Sequence, residues 1–283
     1  MPPERLTIVA NTGDDVEVWG VRVSPDVDAI VYRLAGIFDH ERGWGVAGET
    51  FAALETMRRL GEPTWFQLGD RDLALHQLRS RLEREGRRPT EAALDIQRRL
   101  GVHARVLPAA DDPVEVVVDT ERGSLSLQEY LVRERTEPRV SAVRVTARGG
   151  PSPEAVAAVR EAGLVVIGPS NPLISIAPIL AVLHHRLVRE NTIAVSPIVG
   201  GEALKGPTVK MLRELGRDPV PETVAEEYRG VAGRFVLDVR DAGRAGAVER
   251  LGYVVQVADT VMADQEGAER LALEILQAAE VTA

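Results

Sequence analysis

The sequence has no cysteine, few aromatic residues and no long apolar run. The absence of cysteine excludes disulfides, thiolate metal sites and cysteine nucleophiles. No apolar stretch approaches the roughly 20 residues of a membrane-spanning helix, and no basic segment followed by an apolar one opens the chain. We therefore expect a cytoplasmic protein whose chemistry depends on oxygen and nitrogen groups.

Positive charge is also in short supply. There are 34 Lys and Arg residues against 43 Asp and Glu, which gives a formal net charge of −9. A nucleic-acid surface is therefore not expected, and any anionic ligand must be held locally by loops and helix N-termini. The five histidines show no zinc-ligand spacing, and the adjacent pair His184-His185 is more typical of a solvated helix end.

An acidic cluster follows the first apolar strand, which spans about residues 6–10. Four carboxylates fall within fifteen residues: Asp14, Asp15, Asp26 and Asp28. Ligands of open α/β sheets bind at the carboxyl ends of strands, and clustered carboxylates repel one another unless a cation lies between them. Oxygen ligands favour Mg²⁺. The alternative is an Asx-turn followed by the N-cap of the helix at Ser24-Pro25.

The order of the patterns indicates a single α/β domain over residues 1–283, Rossmann-like and three-layered, with a mostly parallel sheet. A largely helical insertion is predicted over about 47–101. A β-hairpin region is predicted over about 102–147, with strands at 114–118 and 125–130. The segment Gly69-Asp70-Arg71-Asp72 opens a helix to about residue 85, and we expect Asp70 to be its N-cap.

A glycine-rich segment at 42–50 is predicted to be a loop that closes over a ligand. Its Trp44 could stack on a flat ligand, or it could simply fill the edge of the core. Both interpretations are compatible with the sequence.

Two strand-loop-helix units in the second half resemble phosphate-binding turns. Strands at 164–167 and 192–195 should be parallel neighbours, so the loops at 168–172 and 196–201 should lie side by side at one sheet edge. Small residues before a helix expose backbone N–H groups to an anion, and a nearby lysine adds a charge. The candidates are Gly168, Pro169, Ser170, Asn171, Ser196, Pro197, Gly200 and Lys205. The alternative is that both loops are ordinary connections whose prolines enforce the turns.

Seven ordered segments resemble the 2-phospho-L-lactate transferase family of coenzyme F-420 biosynthesis over about residues 5–275. They are Asn11 to Asp15, Ser24 to Asp28, Arg42 to Gly45, Leu68 to Asp72, Leu107 to Pro113, Gly168 to Pro172 and Ser196 to Gly201. Seven motifs in the correct order are far more specific than any one of them.

The resemblance implies a Mg²⁺-assisted transfer that releases GMP. A phospholactyl-type or phosphoenolpyruvyl group would pass from a guanosine diphosphate ester to the terminal hydroxyl of the deazaflavin precursor Fo. By similarity, Asp28 and Gln67 would contact the deazaflavin, together with Trp44. The loops 168–172 and 196–206 would hold the nucleotide. Archaeal members carry Lys where this chain has Gln67, so that contact would be neutral here.

The same resemblance assigns catalysis and metal binding to the acidic cluster. Asp14, Asp15 and Asp26 would bind Mg²⁺ or orient the attacking hydroxyl, an arrangement that suits phosphoryl transfer because that reaction needs no nucleophilic side chain. A homodimer is also implied. A different possibility is a non-catalytic regulatory protein of the same superfamily that binds a nucleotide or nucleotide sugar.

Family members also have a strand, a glycine-rich loop and a helix ahead of the strand that corresponds to residues 6–10. In this sequence only residues 1–5 precede that strand. The interpretation we favour is a start codon placed too far downstream, and the alternative is a shortened paralogue.

Overall fold

The computed structural model describes residues 2–280. Thirteen strands lie in this range: β1 (Thr7–Ala10), β2 (Val16–Val18), β3 (Val21–Val23), β4 (Arg105–Pro108), β5 (Val114–Thr120), β6 (Gly123–Ser126), β7 (Val140–Ala147), β8 (Val165–Ile167), β9 (Thr192–Val195), β10 (Ile198–Val199), β11 (Glu202–Ala203), β12 (Arg234–Asp238) and β13 (Val254–Ala258). The α-helices are α1 (Pro25–Leu34), α2 (Ala52–Arg59), α3 (Asp70–Arg84), α4 (Pro89–Arg99), α5 (Pro153–Glu161), α6 (Ala177–Leu183), α7 (Thr208–Glu214), α8 (Pro221–Glu227), α9 (Ala245–Glu249) and α10 (Gln265–Glu280).

The chain divides into two compact units. The first comprises Met1–Pro138, Val143–Ala158 and Pro178–Leu183, and the second comprises Arg139–Ala142, Val159–Ala177 and His184–Ala283. The expectation of a single domain stays a prediction. No helix of the described residues is both long enough and apolar enough to cross a membrane.

The first unit contains a parallel pair, β1 and β4, in which Thr7 lies opposite Arg105. Helix α1 buries Val27 and Val31 against this pair, in a core that includes Ala10 and Val106. The three- and four-residue spacing of its apolar side chains is that of an amphipathic helix, as the sequence predicts. This arrangement places the start of α1 beside residues 11–15, which follow β1 and are called the acidic loop.

A hairpin that was not predicted from the sequence lies between the acidic loop and α1. Strands β2 and β3 pair antiparallel, with Val16 opposite Val23. The two-residue turn is Trp19-Gly20, with φ of 50° and 77°. Two consecutive positive φ values match the twist of a tight hairpin, but a tryptophan in the first position is an unusual choice and conceals the turn in the sequence.

Helices α2 and α3 cap each other. The Asp70 carboxylate accepts from the backbone N–H groups of Ala52 and Ala53 at 3.0 and 2.9 Å, so it caps α2. In return, Glu49 accepts from the N–H groups of Arg71 and Asp72 at 2.8 and 2.7 Å, and so caps α3. The expectation that Asp70 caps its own helix is therefore wrong, because the N-cap of α3 is a glycine.

The predicted hairpin at 114–130 is confirmed in its first part. Strands β5 and β6 pair antiparallel, with Thr120 opposite Gly123, and β7 lies on the other side of β5. Strand β6 ends earlier than expected, at Ser126, where Glu129 accepts from the Ser126 N–H at 2.8 Å. A π-helical turn, Glu129–Arg133, follows instead of further strand.

The second unit contains a four-stranded parallel sheet in the order β13-β12-β9-β8. Ile167 at the end of β8 lies opposite Ala194 of β9, so the loops after these two strands begin at the same edge, as predicted. The α/β class with a mostly parallel sheet is therefore confirmed.

Gly69 allows the reciprocal caps to form. A Cβ atom at this position would lie 2.1 Å from Cδ of Glu49. We expect Gly69→Ala to displace the Glu49 carboxylate and to lower the free energy of unfolding by about 1–2 kcal/mol, the cost of a lost cap. Glu49→Ala should cost a similar amount, and the double variant should cost little more than either, as measured by urea unfolding. Additive losses in the double variant would contradict this interpretation.

Candidate functional site

A cavity of about 530 Å³ lies within the first unit. It is lined by the start of α1, the glycine-rich loop, the segment before α3, the inner face of α3, and the segment 128–135. Four residues that the sequence analysis singled out line it together: Asp26, Asp28, Trp44 and Gln67. The structure therefore brings the predicted deazaflavin contacts into one cavity.

The walls of the cavity are aromatic. The chain contains only three Trp, four Tyr and four Phe residues, yet five of them line this cavity. They are Tyr32, Phe38, Trp44, Trp65 and Phe66. Trp44 also packs edge to face on Phe51, with ring centroids 6.2 Å apart, under the guanidinium of Arg42. Trp44 thus both contacts a neighbouring aromatic ring and faces the cavity, which suits a flat ligand.

Asp28, on the floor of the cavity, forms a buried ion pair with Arg79. Nη1 of Arg79 donates to Oδ2 of Asp28 at 3.0 Å, and Nη2 donates to Oδ1. Oδ2 also accepts from the N–H of Ser24 at 3.2 Å. These bonds use three of the roughly four acceptor positions of a carboxylate, so Asp28 keeps one for a ligand.

A second carboxylate on the floor, Asp72, is held by α1 and α3. Tyr32 donates its hydroxyl hydrogen to Oδ1 of Asp72 at 2.6 Å, and Nε2 of His76 lies 2.9 Å from the same oxygen. Burial alone would raise the pKa of Asp72, but the contacts with His76 and Tyr32 outweigh it and lower that pKa. Asp72 therefore stays ionised at neutral pH.

The acidic loop forms the Asx-turn that the sequence offered as an alternative to a metal site. Oδ1 of Asn11 accepts from the N–H of Gly13 at 2.7 Å, and its Nδ2 donates to Asp26 at 3.0 Å. Glycine is needed here because a Cβ atom at residue 13 would lie 2.7 Å from Val116 and 2.9 Å from Pro178. The Asp14 side chain after this turn is buried, and its Oδ2 accepts from the N–H of Asp26 at 3.0 Å.

Asp14 is buried beside two other carboxylates, those of Asp15 and Asp26. Burial, followed by the charges of Asp26 and Asp15, raises the pKa of Asp14 well above its ordinary value. Burial also raises the pKa of Asp26. Oδ1 of Asp14 and Oδ1 of Asp15 have no hydrogen-bond partner among the described residues. A buried carboxylate oxygen without a donor is suited to a cation.

The donor set fits Mg²⁺ with a limited number of protein ligands. Among the described residues, no group of three or more His, Asp and Glu side chains is arranged to hold a metal ion. Mg²⁺ commonly uses one or two carboxylates and completes its shell with water and substrate phosphate. Asp14 and Asp26 fit that pattern. Asp15 instead accepts from Nε and Nη2 of Arg22 at 3.1 and 2.6 Å, so its role as a ligand stays a prediction.

The predicted nucleotide loops lie at the carboxyl edge of the sheet in the second unit. Gly168 follows β8 directly, and Ser196 follows β9 directly. Between Ser196 and Lys205 the chain forms a small hairpin, β10 and β11, which turns at Gly200-Gly201 with φ of 60° and 80°. The sequence predicted a plain loop there.

Several polar groups of these loops are already engaged. Oδ1 of Asn171 accepts from the N–H of Leu173 at 2.9 Å, and Oγ of Ser196 accepts from the N–H of Ile198 at 3.1 Å. The N–H of Gly200 donates to Asp241 at 2.8 Å. Lys205, Ser170 and Gly200 are exposed, whereas Gly168 and Pro169 are half-buried. Nucleotide binding by this edge stays a prediction.

The sequence analysis missed the polar inner face of α3. The buried residues of this helix include Asp72, His76 and Arg79, which follow one another at spacings of four and three. That is the periodicity of one helical face, but the sequence analysis looked for apolar residues at this spacing. Charged residues at core spacing were the signal that could have located the floor of the cavity.

The sequence of this chain is similar to those of known proteins over nearly its whole length. A family model described as 2-phospho-L-lactate transferase CofD matches residues 2–279. The chain belongs to this family. The resemblance found in the sequence is therefore confirmed over nearly the whole chain.

The family includes curated proteins that are similar to this chain along most of their length. A 2-phospho-L-lactate transferase of Methanosarcina mazei is 36% identical over 282 residues, covering 98% of this chain and 93% of that protein. Those of Methanothermobacter thermautotrophicus and Methanopyrus kandleri are each 39% identical, covering 92% and 97% of this chain and 85% and 90% of theirs. Among solved structures, protein BH3568 of Bacillus halodurans has a TM-score of 0.59 at 15% identity, covering 95% of this chain and 91% of that one, and supports the fold alone.

The ion pair on the cavity floor should dominate local stability. Asp28→Asn or Arg79→Met alone should lower the free energy of unfolding by about 3–5 kcal/mol, because each leaves a buried charge without its partner. The double variant should lose far less than the sum, as measured by urea unfolding. Glu55→Gln, which removes exposed ion pairs with Arg58 and Arg59, is the control and should change stability by less than about 1 kcal/mol. Additive losses at 28 and 79 would contradict a shared pair.

The raised pKa of Asp14 has a signed consequence for stability. Because the folded-state pKa lies above that of the unfolded chain, the folded state binds the proton more tightly, and this group destabilises the fold as pH rises. Without Mg²⁺, Asp14→Asn should therefore be more stable than the native protein at pH 7, by about 1–3 kcal/mol. The advantage should vanish below about pH 4, where the aspartate is protonated in both states.

Mg²⁺ should reverse the order of stability between the native protein and Asp14→Asn. Added MgCl₂ should raise the thermal unfolding temperature of the native protein but not that of Asp14→Asn, because an ion stabilises only a folded protein that binds it. Asp218→Asn, at an exposed position, is the matched control and should respond like the native protein. An equal Mg²⁺ response in all three proteins would exclude Asp14 from cation binding.

Proposed function

We propose that this protein transfers a phospholactyl-type or phosphoenolpyruvyl group from a guanosine diphosphate ester to the terminal hydroxyl of the deazaflavin precursor Fo, releasing GMP, in coenzyme F-420 biosynthesis. The single observation that carries the proposal is the cavity that joins Asp26, Asp28, Trp44 and Gln67. Membership of a family described as 2-phospho-L-lactate transferase supports it.

The cavity suits a flat heteroaromatic ring with a polyol tail. Its volume of about 530 Å³ falls within the usual range of small-molecule sites. Aromatic walls stack on a ring face, and the free acceptor position of Asp28 accepts from a ring N–H. Because Arg79 holds the Asp28 carboxylate rigidly, this acceptor is oriented before the ligand arrives.

Asp26 connects the cavity to the acidic loop. It lines the cavity and accepts from Asn11, while its own N–H is bonded to Asp14. In the proposed reaction Asp26 orients the attacking hydroxyl and accepts its proton. The hydroxyl oxygen of Fo forms a bond to the phosphorus that carries the transferred group. The bond from that phosphorus to the bridging oxygen of the diphosphate breaks, and GMP leaves with this oxygen.

Asp14 and Asp26 would hold Mg²⁺ near this hydroxyl. When bound, the ion would neutralise charge on the transferred phosphoryl group and on the leaving phosphate. The side chain of Gln128, bonded to the carbonyl of Asp14 at 3.1 Å, keeps the acidic loop in place. In the second unit, the loops 168–172 and 196–206 would hold the guanosine nucleotide. A homodimer and a cytoplasmic location stay predictions from the sequence.

Binding of Fo tests the proposal directly. Titration of the native protein with Fo, followed by deazaflavin fluorescence, should saturate. Trp44→Ala should weaken binding about tenfold through lost stacking, and Gln67→Ala several-fold through one lost neutral hydrogen bond. Gln265→Ala, on the exposed start of α10, is the matched control and should bind as the native protein does.

A flat titration of the native protein would refute the proposed acceptor. The donor is identified by incubating the protein with Fo, Mg²⁺ and competing guanosine diphosphate esters, and by weighing the product in a mass spectrometer. GMP should appear in equal amount with the deazaflavin phosphodiester.

A further inference from the structure

The cavity has an acidic floor and a basic rim. Its lining carboxylates are Asp26, Asp28 and Asp72, whereas two exposed arginines, Arg33 and Arg135, also line it. These two arginines are called the arginine rim. The guanidinium of Arg33 lies 3.7 Å from the centre of the Phe38 ring. In the described part of the chain, no side-chain hydrogen bond or ion pair involves Arg135.

The segment after a π-helical turn carries Arg135 to the cavity. Gln128, just before the turn Glu129–Arg133, and Val132, within it, line the cavity together with Arg135, two residues beyond its end. Gln128 is bonded to the carbonyl of Asp14. The segment that carries Arg135 is therefore anchored to the acidic loop, so Arg135 belongs to the same wall as the proposed reaction centre.

The backbone at Arg135 is strained. Arg135 and Thr136 have φ of 51° and 60°, the left-handed region, which a β-branched residue such as Thr136 rarely adopts. The N–H of Thr136 donates to the carbonyl of Tyr130 at 2.8 Å, and Tyr130 is fully buried. Strain that the surrounding structure holds in place at the edge of a cavity points to a functional constraint on that residue.

An arginine in this position has a specific chemical use. Carboxylates repel an anion, so an anionic group on a ligand in this cavity needs a positive group beside it. A guanidinium binds a carboxylate or phosphate through two parallel N–H donors. The ring of Fo would lie between the aromatic walls and Asp28, and its tail would extend toward Asp26 and Arg135.

We propose that Arg135 binds the oxyanion that the reaction adds to the tail, either the phosphodiester or the carboxylate of the transferred group. This inference rests on the proposed function and adds a residue that distinguishes the product and its transition state from Fo. Fo carries a neutral polyol tail and does not require Arg135. The arginine therefore favours the transferred state over the bound acceptor.

The test compares three ligands that share the deazaflavin ring: Fo, Fo with a terminal phosphate, and the phosphodiester product. Each is titrated by fluorescence against the native protein, Arg135→Gln, Arg135→Lys and the control Arg59→Gln, which removes an exposed arginine of α2 outside the cavity. Arg135→Gln should weaken product binding about 10- to 100-fold and leave Fo binding within about twofold. Arg135→Lys should restore part of the loss, and Arg59→Gln should match the native protein.

The intermediate ligand separates the two anions. If Fo phosphate weakens as much as the product does, Arg135 binds the phosphate; if only the product weakens, it binds the carboxylate. Equal weakening of Fo and product, or of neither, would overturn the inference. Thermal unfolding controls for misfolding, and Arg135→Asn, which tolerates the left-handed backbone, replaces Arg135→Gln if the latter is unstable. Failure of the native protein to bind either Fo or product would instead refute the proposed function itself, and this inference with it.

Discussion

The buried pair between Asp28 and Arg79 determines how the first unit is assembled around its cavity. Arg79 binds Asp28 of α1, and the neighbouring Ser80 hydroxyl accepts from the N–H of Arg22 in β3 at 2.9 Å. One turn of α3 therefore fixes both the helix and the hairpin that follow β1. Two buried charges are costly to remove from water, and the cost is offset only while both are present and hydrogen-bonded. An apolar contact could join these elements, but it could not leave an oriented acceptor facing the cavity.

The inner face of α3 extends this polar arrangement to Asp72 and His76. The reciprocal caps at Glu49 and Asp70 fix the first turn of the helix and so set the position of Asp72. Tyr32 reaches Asp72 from α1. The helix thus packs through hydrogen-bonded charges where most helices pack through leucine or valine. The hydrogen bonds from Tyr32 to Asp72 and from Arg79 to Asp28 orient these two carboxylates, and they define the geometry of the floor.

Local patterns in the sequence were sufficient to predict much of the fold. β1, α1, the β5–β6 hairpin and the parallel order of β8 and β9 all follow from periodicity and turn residues. Asp28, Trp44 and Gln67 were singled out as ligand contacts, and they do line one cavity. Their role in binding stays a prediction. These features depend on neighbours along the chain or on recurring motifs, so the sequence contains them directly.

The missed features depend on contacts between distant segments. Asp70 was assigned to its own helix because capping is usually local, whereas here its acceptors bond N–H groups 17 and 18 residues away. The hairpin turn at Trp19 was not predicted because tight hairpin turns usually have Asn, Asp or Gly, and not tryptophan, at a position of positive φ. Arg135 gave no signal at all, because its importance arises from the cavity it lines and from the strained backbone that holds it.

Opposite shifts in pKa divide the carboxylates of the first unit into two kinds. Contacts with His76 and Tyr32 lower the pKa of Asp72, whereas burial raises the pKa of Asp26, and burial together with the charges of Asp26 and Asp15 raises that of Asp14. The partners of Asp72 therefore stabilise its charged form. The folded protein disfavours the charged forms of Asp14 and Asp26, which a nearby positive charge would stabilise. Environments that push similar groups apart in pKa commonly mark different catalytic roles. A cation bound beside Asp14 and Asp26 would therefore favour the charged forms of both carboxylates.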